Sequence, residues 1–548
     1  MAALPGKPSP AEPYAGRWVA RLQGQVVGQG GTPRQALYAA SASRAKEAPQ
    51  VEWIPGAMTF SLPPLVERVR AALPNSQEIY LVGGAVRDLL LDKPIHDFDF
   101  ALPAKAVAAA RQVAKSLGAA FYPLDETRDV GRVIVEQGGR RITLDFIVLQ
   151  GADIDADLAA RDLTINAMGI DLRHLDALLD PLGGAADLKD KLVRAASPGA
   201  FGADPVRVLR AIRMAATFNM RIEKDTRLAL RAAAKKLDQV SSERLRDELF
   251  RLFQAPKLAT SLRALELLGA LEAMMPELAV LKGVEQSEPH AFDVWEHTLQ
   301  VVDKVERLVA LLSEDYAPEG ARDLHSGLVV LRLGRYRSQL SARLAREVVP
   351  GRSRRELLLL AALFHDAAKP AARSVEAGGR IRFIDHENQG AALVLRRGKA
   401  LHLSKGELDY LETAVRQHGR PFALTQTGAA PTRRAIYRFF REAGEMGVDI
   451  CLLSLADFMG KYGAELPQDA LAEHLETLRA LLEAYFEKMD QVVSPPTLLT
   501  GDDLMGELHL QPGPKIGVIL EALREGRAAG EVRDRAEALA LARSLLDG

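Results

Sequence analysis

Asp97 and Asp99, in the run Asp97-Phe98-Asp99-Phe100, put two carboxylates at a spacing that suggests chemistry. On a β-strand residues i and i+2 share a face, so both carboxylates would project together while Phe98 and Phe100 pack inward. Carboxylates this close repel unless cations lie between them. Two Mg²⁺ ions about 3.5–4 Å apart would use such a pair to activate a hydroxyl nucleophile and neutralise a leaving pyrophosphate. Just upstream, Ile79-Tyr80-Leu81-Val82-Gly83-Gly84-Ala85-Val86-Arg87-Asp88 reads as a strand, a glycine turn and the start of a helix. Gly83 and Gly84 let backbone amides approach an anion, and Arg87 in the first helical turn adds positive potential for phosphates. The competing reading is a solvent-facing Asp-x-Asp on an edge strand beside an ordinary tight turn.

A second constellation lies further along, in Val294-Trp295-Glu296-His297, in Ala362-Leu363-Phe364-His365-Asp366-Ala367-Ala368-Lys369, at His386 and His418, and in Leu455-Ala456-Asp457. Imidazoles and carboxylates on packed helices can enclose one or two divalent metals, and a bridging hydroxide would then attack a phosphoester. A lone interior histidine is usually just a hydrogen-bonded core residue. A His-Asp doublet flanked by separated histidines and a late aspartate is a more specific pattern.

The elements that must position these groups fall into two classes. From 62 to 192, strand-like runs (79–82, 97–102, 130–135, 141–149) alternate with helices such as 104–117, which is an α/β pattern. From about residue 200 nearly every segment reads as amphipathic helix, broken at Pro289, Pro350 and Pro495-Pro496. Near the start, 17–22, a turn at Gly24, 25–28 and a helical stretch over 32–46 form a small ββα appendage with no functional reading. A length of 548 residues is too great for a single core. The composition, 48% hydrophobic and 26% charged, is globular. No apolar run approaches the ~18 residues needed to cross a bilayer, which excludes a helical membrane protein. Residues 1–14 lack the basic start and apolar stretch of a secretory signal. The single cysteine, Cys451, allows neither an internal disulfide nor a thiolate metal site, so a reducing, cytoplasmic setting is expected. Net charge is −1, but 194–251 holds thirteen Lys or Arg against seven Asp or Glu, and 332–355 holds eight Arg against Glu347 alone. The second of these basic segments is expected to be a solvated charged face.

The glycine turn followed by Asp97-Phe98-Asp99 resembles the head domain of class II tRNA nucleotidyltransferases, the CCA-adding enzymes and bacterial poly(A) polymerases of the polymerase-β superfamily. Further motifs follow in the family's order. Arg161-Asp162-Leu163-Thr164-Ile165-Asn166-Ala167-Met168 is similar to the motif that contacts ribose and phosphate, and Asp180-Pro181-Leu182-Gly183-Gly184 with Asp187-Leu188 to the hinge between head and neck. Asp204-Pro205-Val206-Arg207-Val208-Leu209-Arg210 is similar to the base-reading helix, and Ser242-Glu243-Arg244 to Glu248 to the motif supporting it. The resemblance implies that Asp204 and Arg207 present an acceptor and donors to the base edge, selecting CTP and ATP without a template, and that Arg210 serves the triphosphate. Asp204 before Pro205 is equally readable as a helix N-cap. The second constellation resembles an HD-type phosphohydrolase, with His297, His365, Asp366 and Asp457 at its usual ligand positions and His386 and His418 at the extra positions of two-metal members. The alternative is a degenerate HD fold kept as a tRNA-binding body.

The implied architecture is an α/β nucleotidyltransferase head followed by an all-α neck, HD domain and helical tail: appendage 1–55, head 62–192, neck 193–285, HD domain 286–465 and tail 466–548. The resemblance implies Mg²⁺ at the head, and Mg, Mn, Ni or Fe at the HD site. The implied partners are a tRNA 3′ end, CTP and ATP, with neither DNA nor membrane. Two departures stand out: Ala203 and Ala160 replace an acidic residue and an arginine usual in the family. The segment 148–157 is also short where CCA-adding relatives carry a longer flexible loop, as in CC-adding relatives. Asp145 reads either as a third metal carboxylate or as a plain strand-end aspartate. The implied activity is addition of C and A to tRNA, with CC-only addition and poly(A) synthesis as alternatives. Residues 493–548 lack the strongly basic tail usual in poly(A) polymerases. A silent RNA-binding scaffold would not need intact Asp97, Asp99, Arg161 and Arg207.

Overall fold

The computed structural model describes residues 14, 17–30, 33–41, 48–54, 60–316, 323–463 and 465–547. Residues 1–13, on which the signal-sequence expectation falls, and 32 and 42–46 of the expected appendage helix lie outside them. The chain divides into two compact units, 1–234 and 235–548, and the division falls within the expected neck.

In the first unit, β1 (Arg17–Leu22), β2 (Gln25–Gly30) and β3 (Gln50–Ile54) form an antiparallel sheet in the order β2-β1-β3. The appendage is therefore ββαβ, not ββα. Alternating Gln50-Val51-Glu52-Trp53-Ile54 supplies the third strand by pairing with β1. Helix Pro33–Ser41 closes its small core through Ala36 and Ala40.

The head is a seven-stranded sheet. Its strands are β4 (Tyr80–Val82), β5 (Asp97–Leu102), β6 (Ala120–Asp125), β7 (Val130–Gln137), β8 (Arg140–Val148), β9 (Gly169–Asp171) and β10 (Leu178–Leu179), in the order β10-β9-β4-β5-β8-β7-β6. β5 lies inside the sheet, antiparallel to β4 and parallel to β8, so the edge-strand reading of Asp-x-Asp is excluded. Phe98 and Phe100 are buried on one face, where Phe100 stacks on Phe146 with ring centroids 5.0 Å apart. Asp97, Asp99 and Ala101 share the other face. There Ala101 is sealed under Ile154 and Leu158 of helix Ile154–Ala159, while Asp97 stays exposed and Asp99 half-buried. The carboxylates emerge where this cover runs out.

The second unit is almost wholly helical, interrupted by two short hairpins at 347–353 and 373–383. Its tail helices, Gly501–Leu508, Pro514–Ala529 and Arg535–Asp547, share a core of their own around Leu504, Ile519 and Leu523. The expectation of a solvated face over 332–355 fails for three of its arginines, Arg343, Arg352 and Arg354. Arg343 and Arg354 both bind buried Asp449, and Arg352 binds buried Glu407 through two hydrogen bonds of 2.6 and 3.1 Å. Planar guanidinium groups satisfy buried carboxylates bidentately, so a charge run whose counterions are scattered over distant helices can be interior. Among the described residues no helix is long and apolar enough to cross a membrane.

Candidate functional site

Register places three carboxylates together in the head, because Asp99 on β5 pairs with Asp145 on parallel β8, and Asp97 stands two residues back along β5. Asp145 is held by Arg132 of neighbouring β7 through two hydrogen bonds of 2.7 and 2.8 Å. Burial raises the Asp99 carboxyl pKa above its ordinary value; Arg161 and Arg210 oppose the shift, and Asp145 and Asp97 reinforce it. A half-buried carboxylate crowded by two others is a site that divalent cations would relieve, so Asp97 and Asp99 fit the expected ions.

The glycine turn meets this cluster directly. Gly83 has φ of +78°, and a Cβ there would lie 2.7 Å from Arg161 Nη1 and 3.4 Å from Asp99 Oδ2. Arg161 is held over the turn by Asp157, which accepts from its Nε and Nη2 at 3.2 and 3.0 Å. The same Asp157 accepts from Gln150 N at 2.9 Å, and Asp153 caps helix Ile154–Ala159, so residues 149–153 are tied down from both sides.

Other expected nucleotide contacts are turned partly inward. Arg87 is buried: it grips Asp88, donates to Asn166 Oδ1 at 2.5 Å, lies over Phe218 and keeps its guanidinium against Gly84, so it braces helix Gly84–Leu90 beside the turn. Asp162 accepts from Leu163 N, Asn166 Nδ2 and Arg210 Nη1. Burial pushes its pKa up, but Arg210 and these donors outweigh burial and hold it below the ordinary carboxyl value. Asp204 is not an N-cap; helix Arg207–Phe218 starts after Val206, and Asp204 sits in extended backbone. Its Oδ2 lies 3.8 Å from Arg207 Nε, while Arg207 Nη1 donates to the carbonyls of Ala160 and Ala200. The sequence reading missed Arg132 and Asp157, whose roles depend on partners across strands or around a turn.

In the second unit, five helices converge. His297 comes from Val294–Leu311, His365 and Asp366 follow Arg354–Phe364, His386 opens His386–Ala400, His418 closes Lys405–Gln417, and Asp457 lies on Gly447–Lys461. Among the described residues, His297, His365 and Asp366 form one group of donor atoms within 4.8 Å of one another, and Asp366, His386 and His418 form another. Asp366 belongs to both. His365, His386 and His418 each place Nδ1 2.7–2.8 Å from a backbone carbonyl three residues back. Nδ1 must therefore donate, which leaves the Nε2 lone pairs for the site. His365 Nε2 lies 3.3 Å from His297 Nε2 and 3.1 Å from Asp366 Oδ2.

The charges are those of a cation site. Burial disfavours the ionised carboxyls of Asp366 and Asp457, yet His365 and Lys369 beside the first, and Lys461 beside the second, hold both well below the usual range. Burial, with His365 next, pushes His418 down to about 3, so it is neutral at pH 7, as a metal ligand must be. These residues fit one or two divalent metals. Lys369 and Lys461 were legible only as partners three and four residues after Asp366 and Asp457. His290, which lines the same cavity, carried no sequence signal.

The chain matches the poly A polymerase head domain over 79–194, a probable RNA and SrmB-binding site of polymerase A over 219–281, and the HD domain over 294–457. It is 34% identical to a CC-adding tRNA nucleotidyltransferase of Geobacter sulfurreducens, over 84% of this chain and 90% of that protein. The chain belongs to the class II tRNA nucleotidyltransferase family. This nucleotidyltransferase is also 34% identical to an A-adding enzyme of Deinococcus radiodurans, over 84% of this chain and 94% of that one. Its fold is shared with a CCA-adding enzyme solved in complex with CTP, at a TM-score of 0.58 and 19% identity, covering 88% of this chain and 98% of that one.

Gly83 offers a direct check on the head. Gly83→Ala should lower nucleotide incorporation roughly 10- to 100-fold, because the added methyl displaces Arg161 and strains the turn by about 1–3 kcal/mol. Steady-state incorporation beside a melting curve measures this, and undiminished activity would mean that the position of Arg161 is immaterial.

Proposed function

We propose that the nucleotidyltransferase transfers CMP from CTP to the 3′ end of tRNA and halts after two cytidines, and that its HD unit is a metal-dependent phosphoester hydrolase. The observation that carries the first part is the short, pinned segment before helix Ile154–Ala159, fastened by Asp153 and Asp157. A nucleotide pocket that must be reshaped from C to A needs slack at this point, and these bonds remove it. The similarity to the Geobacter enzyme named CC-adding supports the same reading. Complete CCA addition is the second reading. It is favoured by Asp204 and Arg207, whose acceptor and donors suit either base.

In the head, Asp97 and Asp99 would hold divalent ions, which when bound activate the RNA 3′-hydroxyl and neutralise charge on the departing pyrophosphate. Arg161, fixed by Asp157 against Gly83, is set to take a phosphate at the turn. The 3′-oxygen forms a bond to the α-phosphorus as the α–β bridging bond breaks. Arg132 neutralises Asp145, so this third carboxylate does not add its full charge to the cluster. In the HD unit, His297, His365, His386, His418, Asp366 and Asp457 would hold the metals, which supply an activated hydroxide for attack on phosphorus.

The test is a gel that resolves single-nucleotide additions to a tRNA lacking its three terminal residues, with CTP and ATP both present. The expected product is CC, with ATP incorporation at least about 100-fold slower. Efficient growth to CCA sinks the halt and leaves the second reading; a long A tract would mark a poly(A) polymerase.

A further inference from the structure

A charged row crosses the sheet of the head. Asp99 on β5 is in register with Asp145 on β8, and Asp145 with Arg132 on β7, so the three side chains share one face. Asp145 therefore has a carboxylate on one side and a guanidinium on the other. The guanidinium takes it: Arg132 Nε donates to Oδ1 at 2.7 Å and Nη2 to Oδ2 at 2.8 Å, which engages both oxygens and draws them towards β7. Among the described residues, the head carboxylates form no group of donor atoms within 4.8 Å of one another, as the HD residues do. The charge of Arg132 also reaches past its partner. Its hydrogen bonds to Asp145 outweigh burial and hold the guanidinium above its ordinary pKa, and Asp97 and Asp99 add to the effect.

An arginine side chain does not lose its proton in a protein, so this cation is permanent. A divalent ion approaching Asp97 and Asp99 meets a site in which one negative charge is already cancelled. To reach that ion, Asp145 would have to leave a planar, bidentate partner. Resting on the reading of Asp97 and Asp99 as the ion ligands, we propose that Arg132 is a positioning residue that withholds Asp145 from the ions, so that the head binds free divalent cations loosely, on two carboxylates. Loose binding has a use in the reaction. Cations held by Asp97, Asp99 and a nucleotide's phosphates can depart with the pyrophosphate, which clears the site for the next addition. A third carboxylate in the ligand set would retain them, since affinity for a hard cation rises with the number of charged ligands.

The experiment titrates full-length protein with Mn²⁺, without nucleotide, and counts free ion by electron paramagnetic resonance. For each protein, the same titration on a counterpart carrying Asp97→Ala and Asp99→Ala supplies the contribution of the HD site, and the difference is the head. Arg132→Gln should bind head Mn²⁺ about tenfold or more tightly than the wild type, the range over which groups that hold metal ligands change affinity. Damage to the fold would weaken binding, so a gain reads the release of Asp145 and not a structural role. Arg132→Gln combined with Asp145→Asn removes the pair without changing net charge, and its head affinity should return to within about threefold of wild type. An unchanged affinity in Arg132→Gln, or a gain that survives in the double variant, overturns the proposal. So does a double variant that no longer binds head Mn²⁺, since Asp145 would then be a ligand, and this holds whether or not the single variant folds. A wild type whose uptake at saturation equals that of its Asp97→Ala, Asp99→Ala counterpart rejects those aspartates as ion ligands altogether, a distinguishable result.

Discussion

Asp99→Ala is expected to lower nucleotide incorporation on the order of 10³-fold or more while leaving the head folded. Asp99 is the carboxylate that the β4–β5–β8 register sets between Asp97, Asp145 and the glycine turn, and its Oδ2 is near Gly83. Removing it takes a hard oxygen ligand from the expected ion site, and stabilisation of several kcal/mol corresponds to about three powers of ten in rate. Stability should move the other way. Because burial and the neighbouring carboxylates raise the Asp99 pKa, the ionised group destabilises the metal-free fold above its ordinary pKa, and the cost vanishes below it. In chelator at pH 7, Asp99→Asn should therefore melt no lower than the wild type, and any advantage should disappear towards about pH 3. Full activity in either variant would remove Asp99 from the chemistry, and early melting would show that it is needed to hold the sheet.

Asp366→Asn should strip metal from both HD groups at once, with affinity falling more than about 100-fold, because this is the residue they share. His386→Ala, which touches one group only, should leave the other loaded. Metal stoichiometry after dialysis against Mn²⁺ reads the difference directly, with nucleotide incorporation as the control for a folded protein. The amide is chosen because it keeps an oxygen that can accept from buried Lys369, which deleting the side chain would remove. Undiminished metal binding in Asp366→Asn would show that the ions sit elsewhere, and loss of nucleotide incorporation would show that the variant damages more than the HD site.

Local pattern was sufficient for much of the head and for the positions of the HD residues. Asp97-Phe98-Asp99-Phe100 alternates with the period of a strand, and its phenylalanines are indeed buried while Asp97 is exposed. Val130–Gln137 and Arg140–Val148 were legible for the same reason, whereas β6 (Ala120–Asp125) was not, since it lies at the sheet edge and alternates weakly. Helix caps were less legible. Asp204-Pro205 carries a capping signature, but the backbone turns two residues later, at Val206.

Residue type and period in the sequence by itself determined which side chains could do chemistry and the class of element that carries each, because side-chain direction on a strand or helix follows from local geometry. Only the tertiary structure decided their partners. It aligned Asp145 with Asp99 and gave it to Arg132, turned Arg87 inward to Asn166, and made Asp366 common to two groups of imidazoles. Each of these depends on register between strands or on the crossing of helices far apart in the chain, which burial of the whole core sets and which no local window of sequence contains.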